Sequence, residues 1–204
     1  LFRKELIVVD QDNPHYHLFD SNMLSPYWNK DQEIVTYETS LFRTGMAWSD
    51  NISKRFRYYS LCQNVAMVLS KNLEGDVAEC GVWRGHSAHM IASILEKSGF
   101  YNEFLIFDSF QGLSDVGSFD TNERFQPSEK QINAQREVLS SHEHIVRANL
   151  SEFDFIEYYA GWIPTRFADV EDRKFILLHL DTDLYQPIRD STEFFYPRLV
   201  EGGI

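Results

Sequence analysis

Apolar residues recur along the chain with two periods, and the change from one to the other marks out the elements. From Ile52 the positions Ile52, Phe56, Tyr59, Gln63, Ala66 and Leu69 step by four and three, the spacing of one helical face, and Asn72 and Gly75 supply the stop. A short apolar run at 76–80 predicts a strand, residues 86–98 a helix closed by Gly99, and Phe104-Leu105-Ile106-Phe107 a second strand. Ser128, with Glu129 and Gln131 behind it, opens helical material that runs to about Phe153 and breaks near His142-Glu143-His144. Strands at 154–160 and 174–180 follow, with a short helical turn after Pro164 between them, and Pro187 suits the first turn of a helix ending at Pro197. Strand and helix alternate four times, which predicts an α/β domain with a mostly parallel sheet and helices on both faces.

Two stretches lack a period. Residues 1–50 are aromatic-rich, with Pro14, Pro26 and scattered Asp and Asn, and read as an irregular extension that covers something, a lid or a dimer arm. The expected division is 1–55 for this extension and 56–204 for the domain, and a homo-oligomer is left open. Residues 109–127 are rich in Ser, Gly and Asp for longer than the ~12–15 residues at which a structureless loop becomes unusual unless it is functional, so they read as a second lid. Its acids Asp115, Asp120 and Glu123 read as a solvated face.

Composition then removes whole classes of function. With 204 residues, 43% of them hydrophobic, the chain can bury one full core. Nineteen basic against 31 acidic residues give a net charge of −12, the wrong sign for tracking a phosphate backbone or lying on an anionic membrane, so no nucleic acid and no membrane is expected as a partner. No apolar run approaches the ~20 residues of a membrane span. Cys62 and Cys80 each lie in an apolar segment and read as small buried hydrophobes, which suits a reducing cytoplasm. The chain opens on Leu1 and closes on Glu201-Gly202-Gly203-Ile204, a turn and the first residue of a strand, so C-terminal strands are expected to be missing from it.

In a sheet of this kind ligands bind beyond the carboxyl ends of the strands, where strand order reverses. The first such end, Glu79-Cys80-Gly81-Val82-Trp83-Arg84-Gly85-His86-Ser87, lacks the Gly-x-Gly-x-x-Gly turn that admits a pyrophosphate, and disfavours a nicotinamide or flavin dinucleotide. Glu79 would repel a phosphate and attract an ammonium group, Gly81 and Gly85 would admit a ligand against the backbone, and Ser87 with the opening helix amides would receive a carboxylate. Ammonium plus carboxylate describes an amino acid. Asp108, followed by Ser109, ends the second strand where an acid accepts both hydroxyls of a ribose. Gly161, Trp162 and Ile163 at the third end offer close approach and two faces for a purine. Amino acid, ribose and purine without phosphate describe S-adenosylmethionine.

Five segments in order, Gly75-Asp76-Val77-Ala78-Glu79-Cys80-Gly81-Val82-Trp83-Arg84-Gly85, Phe107-Asp108-Ser109-Phe110-Gln111-Gly112-Leu113, Val146-Arg147-Ala148-Asn149-Leu150, Gly161-Trp162 and His179-Leu180-Asp181-Thr182-Asp183-Leu184-Tyr185, resemble the macrocin O-methyltransferase family. Phe195-Tyr196-Pro197-Arg198-Leu199 and Gly202-Gly203 continue the likeness, which covers roughly residues 57–204. The resemblance implies a Rossmann-like class I methyltransferase that uses S-adenosylmethionine and a divalent metal, usually magnesium, to methylate a hydroxyl on a sugar or aromatic ring of a secondary metabolite. It also implies that Asp181 is catalytic and a metal ligand, with Asp183 lending a second carboxylate or supporting the turn. The family has a pair of aspartates just after the Gly-Gly strand, a position the given sequence does not reach, and His86 stands where the family commonly has a second glycine. Competing readings are a same-fold methyltransferase for a catechol or nitrogen acceptor, and a non-catalytic cofactor-binding remnant. His179, inside an apolar strand, reads as a satisfied core histidine, and neither zinc-type spacing nor a Gly-x-Ser-x-Gly elbow occurs.

Overall fold

The structure, a computed structural model, describes residues 31–124 and 126–204. Readings that fall on residues 1–30, Pro14 and Pro26 among them, lie outside the described residues. Four strands, β1 (Asp76–Cys80), β2 (Phe104–Asp108), β3 (Ile156–Ala160) and β4 (Phe175–Leu180), form one parallel sheet in the order β3-β2-β1-β4. The chain steps outward from β1 to β3 and then returns to the other side of β1, so strand order reverses between β1 and β4.

Alternation along the strands divides the core in two. Val77, Phe104 and Ile106 face α2 (Ile52–Ser70), α3 (His86–Ser98) and α5 (Glu143–Asn149), while Ala78, Cys80, Leu105 and Phe107 face α6 (Tyr185–Phe195) and the turn at Phe167–Val170. In β4 the pairing slips by one residue: Asp76 stands opposite Phe175 but Val77 opposite Leu177. Ile176 and Leu177 therefore share a face, a bulge that sets the parity of every residue after it. Ile204 pairs with β4 on both sides, its N–H donating to Ile176 O at 3.0 Å and its carbonyl accepting from Leu178 N at 2.8 Å. Cys62 and Cys80 are buried and free, as expected. No helix among the described residues is long and apolar enough to cross a membrane.

The predicted break in the helical material falls between α4 (Glu129–Leu139) and α5, and Ser128 with Gln131 closes a capping box at the start of α4. Two readings need correction. Residues 31–43 are a helix, α1 (Asp31–Arg43), rather than irregular chain. Its buried face carries Thr36, Tyr37, Ser40 and Leu41, continued by Thr44 just past its end, and four of these five carry a hydroxyl, which hides the period. Those hydroxyls can be buried because Ser40 donates to Thr36 O at 2.7 Å and Thr44 to Ser40 O at 2.8 Å. In α2 the helix is as predicted but its inward face is Lys54, Leu61, Cys62, Val65 and Val68, while Gln63 and Ala66 are exposed and Phe56 is 45% exposed. Apolar residues ring α2, so spacing alone does not single out one face. Because Asn51 caps α2 by accepting from Lys54 N at 2.9 Å, the helix also runs through the division drawn at residue 55.

The helical layer of α1 and α2 is fastened to the start of α3 by one ring. His86 stacks on Tyr58 at 4.3 Å and tilts against Tyr37 at 5.1 Å, and its Nε2 lies 3.3 Å from the Tyr37 carbonyl oxygen. A carbonyl only accepts, so Nε2 carries the proton and Nδ1 is left a bare acceptor. Burial, helped by the nearby Lys54 charge, pushes the imidazole down to about 3.

Two outcomes are expected. Phe195 is fully buried and meets Phe107, Phe167, Phe175 and Phe194, so Phe195→Ala should cost about 3–5 kcal/mol in urea unfolding. The unfolded chain takes up a proton at His86 below its ordinary value of about 6.5 and the folded chain does not, so stability should fall as pH drops from 6.5 towards 3, by up to about 1.4 kcal/mol per unit from this residue. Unfolding free energies measured at pH 6.5 and 4.5 should show that slope, reduced in His86→Phe.

Candidate functional site

The reversal between β1 and β4 is held by close backbone approach. Gly81 takes φ +84, and a Cβ there would run into the Asp181 carbonyl, so only glycine lets the two strand ends leave the sheet together. Asp181 N–H donates to Cys80 O and Gly81 N–H to Phe107 O, both at 2.9 Å, which ties three strand ends in a row. Asp108 then clamps the β1 turn. Its carboxylate accepts from Val82 N at 2.7 Å, Trp83 N at 3.2 Å and Phe110 N at 2.7 Å, and burial raises its carboxyl against these amides. Trp83, Phe110 and Asp183 all hold positive φ, 48°, 59° and 61°, although none is glycine. Strained backbone of this kind collects where a fold is shaped around a ligand.

Beneath the turn Glu79 is wholly buried and bonds His179 Nδ1 at 2.9 Å. Burial raises the Glu79 carboxyl, and although burial opposes the His179 imidazolium, Glu79 outweighs it and raises it too. Each group thus finds a partner in the other, and His179 is satisfied as read from the sequence.

Above this floor lies a cleft with two lobes. One, about 580 Å³, is lined by Gly81, Asp108, Ser109, Trp162, Ile163 and Asp181 among others, six of the ten residues expected at the site. The other, about 610 Å³, is bordered by Arg57, Tyr58, Arg84, His86 and Ser87. Gly81, Trp83, Leu139, Asp181 and Asp183 belong to both. Glu79, Gly85 and Gly161 line neither. Glu79 lies under the floor, Gly85 packs against Val146 and Leu150, and Gly161 N–H bonds Asp108 O at 2.9 Å, bringing Trp162 to the rim. Three buried side-chain atoms without a partner among the described residues belong to residues that line the cleft: Arg84 Nε, His86 Nδ1 and Thr182 Oγ1. Groups of this kind suit a polar ligand or ordered water.

Sequence reasoning missed the contribution of α2. Arg57 and Tyr58 sit five to six residues into a helix read only for packing, and no strand end advertises them. Ser87, expected to receive a ligand carboxylate, borders the second lobe next to Tyr58. The metal expectation finds no complete donor set, since no group of three or more His, Cys, Asp or Glu side chains converges among the described residues. Asp181 and Asp183 stand alone there. Burial and the Asp181 charge raise the Asp183 carboxyl, while Arg57 opposes the rise.

The long loop is anchored rather than structureless. Arg136 of α4 donates to Leu113 O at 2.7 Å and Ser114 O at 3.2 Å. Asp120, read as solvated, instead accepts from Tyr185 N at 2.7 Å and caps α6, whose own Leu184 provides no side-chain cap. Phe119 packs on Tyr185 beside it, ring centroids 4.6 Å apart. Leu113 and Ser114 thereby form one wall of the first lobe.

Comparison with known proteins places this arrangement. The sequence profile described as Macrocin-O-methyltransferase (TylF) matches residues 20–204. Demethyldecarbamoylnovobiocin O-methyltransferase of Streptomyces niveus is 28% identical over 177 residues, 82% of this chain and 66% of that protein. The 8-demethyl-8-(2,3-dimethoxy-alpha-L-rhamnosyl)-tetracenomycin-C 4'-O-methyltransferase of Streptomyces olivaceus is 29% identical over 144 residues, 68% of this chain and 54% of that protein. The chain thus spans between about half and two thirds of the length of these relatives. Among solved structures, the O-methyltransferase NovP superposes with a TM-score of 0.59 at 29% identity, covering 72% of this chain and 62% of its own. The calicheamicin methyltransferase CalS11, at 0.55 and 19% identity over 88% and 76%, agrees in fold. With the profile running through the β1 turn, the Asp108 clamp and the acidic turn after β4, this chain belongs to the macrocin-O-methyltransferase family.

Proposed function

We propose that the chain binds S-adenosylmethionine in the two-lobed cleft and transfers its methyl group to a hydroxyl of a sugar or other secondary metabolite. The observation that carries this reading is the convergence, at the reversal between β1 and β4, of a glycine turn, an acid ending β2, an aromatic rim after β3 and an acidic turn after β4 around one cleft. The relatives named for novobiocin and tetracenomycin precursors support the acceptor class. When bound, S-adenosylmethionine supplies an electrophilic methyl group on a sulfonium.

The chain's own residues would position and deprotonate. Asp108 and Ser109 face the ribose hydroxyls, and Trp162 and Ile163 flank the purine. Gly81 lets the ligand lie on the backbone between the lobes. The acceptor hydroxyl must lose a proton as its oxygen attacks, and the carboxylates bordering both lobes are Asp181 and Asp183. We assign Asp181 to orient that hydroxyl and Asp183, whose carboxyl is raised by burial and the Asp181 charge, to take the proton directly or through Asp181. The described donor set does not complete a site for a divalent cation, and no step is derived through one. Residues 109–127, with Leu113 and Ser114 already on the wall, would close the first lobe to water.

Asp108→Ala removes both the ribose acceptor and the acceptor of three loop amides. Affinity for S-adenosylhomocysteine should fall about ten- to a hundredfold, the ~1.5–3 kcal/mol of hydrogen bonds to a charged group, and the melting temperature should fall with it. Calorimetry giving unchanged affinity would remove the ribose assignment. Asp181→Asn should lower methyl transfer to deoxysugar or phenolic acceptors, followed by mass spectrometry, by about a hundredfold or more while cofactor affinity stays within about threefold. Transfer at the unaltered rate would remove Asp181 from the reaction.

A further inference from the structure

The acidic turn after β4 is short, and each of its ends is fastened to a different part of the molecule. At the near end Asp181 N–H donates to Cys80 O at 2.9 Å, so the turn leaves the sheet at a fixed point. At the far end Tyr185, the first residue of α6, donates its N–H to Asp120 Oδ1 at 2.7 Å. Between the two, Leu184 N–H closes back on Thr182 O at 2.7 Å, and Asp183 holds φ +61 without being glycine. A residue with a side chain stays in that left-handed region only while its surroundings hold it there. The helix contributes little to this by itself, because its cap residue Leu184 offers no polar side chain and Pro187 in its first turn has no N–H. The acceptor supplied from outside is itself held. Asp120 uses its second oxygen, Oδ2, to accept from Gly117 N at 2.8 Å, which closes the short turn Ser118–Asp120 on which it sits. Asp115, in the same loop, instead pairs with Arg136 at 3.1 Å.

Resting on the reading of Asp181 and Asp183 as the acids that orient and deprotonate the acceptor, we infer that Asp120 is a positioning residue for them. By holding the start of α6 it keeps Asp183 in its left-handed conformation, and so keeps both carboxylates on the boundary that the two lobes share. Asp120 borders neither lobe, and its contribution runs through the backbone of the turn. The loop that carries it starts from Asp108, whose carboxylate fixes the β1 turn, and passes Leu113 and Ser114, which Arg136 holds on the wall of the first lobe. One stretch of chain therefore sets both the ribose acid and the direction of the acids at the far side of the cleft. A cap on a remote helix would matter for stability alone. Two residues from a strained acid at the reacting position it also matters for rate, since a misplacement of about 1 Å can cost about a hundredfold.

Two measurements on Asp120→Ala and Asp120→Asn test this. In methyl transfer to deoxysugar or phenolic acceptors, assayed well below the melting temperature, Asp120→Ala should lower kcat about ten- to a hundredfold, while affinity for S-adenosylhomocysteine stays within about threefold. Asp120→Asn keeps a carbonyl oxygen for Tyr185 N–H and should recover most of the loss. In amide hydrogen exchange, Asp120→Ala should speed exchange at Tyr185 by about tenfold or more and carry the change back to Leu184 and Asp183, with Asp181 N–H still slow on Cys80 O. An unaltered kcat in Asp120→Ala, or faster exchange confined to α6, would reduce Asp120 to a cap and overturn the assignment. Equal loss of kcat and of S-adenosylhomocysteine affinity would overturn it as well, and so would fast exchange of Tyr185 N–H in the unaltered chain. Absence of transfer by the unaltered chain would count against the methyl-transfer reading instead, and exchange at Asp183 to Tyr185 would still decide for or against the brace.

Discussion

The approach of β1 and β4 at their carboxyl ends is the constraint on which the remaining structure depends. Two parallel strands that leave a sheet side by side normally splay to make room for side chains. Here Gly81 removes the side chain on one strand, so the Asp181 backbone can follow the Cys80 carbonyl at 2.9 Å. The residues after both strands are thereby brought to one place, and the two lobes of the cleft acquire a common boundary. Asp108 fixes the same turn from the β2 side with one carboxylate and three amides. A turn held from two sides keeps its strained residues, Trp83 and Asp183 among them, where relaxation would otherwise move them.

Below the turn, two groups that are costly to bury alone are buried together. An isolated carboxylate at the position of Glu79 would be costly to bury, and so would an isolated imidazolium at His179. Placed 2.9 Å apart, they satisfy one another and link β1 to β4. This explains why Glu79, read from the sequence as a partner for a ligand ammonium, has no surface in either lobe. An acid at a strand end was legible; whether it faced up into the cleft or down into the core depended on a partner one hundred residues away in sequence.

The same distinction separates what was legible elsewhere. The four strands, their helices and the stops at Gly99 and Asn72 follow from period and glycine, which are local properties. That Asp108, Trp162 and Asp181 line the cleft was legible because position after a strand is itself a structural statement. Three kinds of information were not local. The inward face of α2 depends on which neighbours it meets, since its own apolar residues ring it. The helix α1 buries hydroxyls that satisfy themselves on its own carbonyls, so its sequence looks polar where it is packed. Asp120 caps a helix 65 residues ahead in the chain, and nothing around it in sequence distinguishes it from the solvated acids Asp115 and Glu123.

The bulge at Ile176 carries a consequence for how such a chain can change over generations. One unpaired residue near the start of β4 decides that His179 lies on the side of Glu79 and that Leu178 and Leu180 lie on the side of Phe195. Deleting it, or inserting a second, would exchange the two faces for the remainder of the strand and bury polar groups among phenylalanines. Length variation between lineages should therefore be borne by the loops, in particular the segment between β2 and α4, while the interval from the bulge to the acidic turn stays at a fixed count of residues. For this part of the fold, a change of parity would do more damage than a change in most of the side chains it arranges.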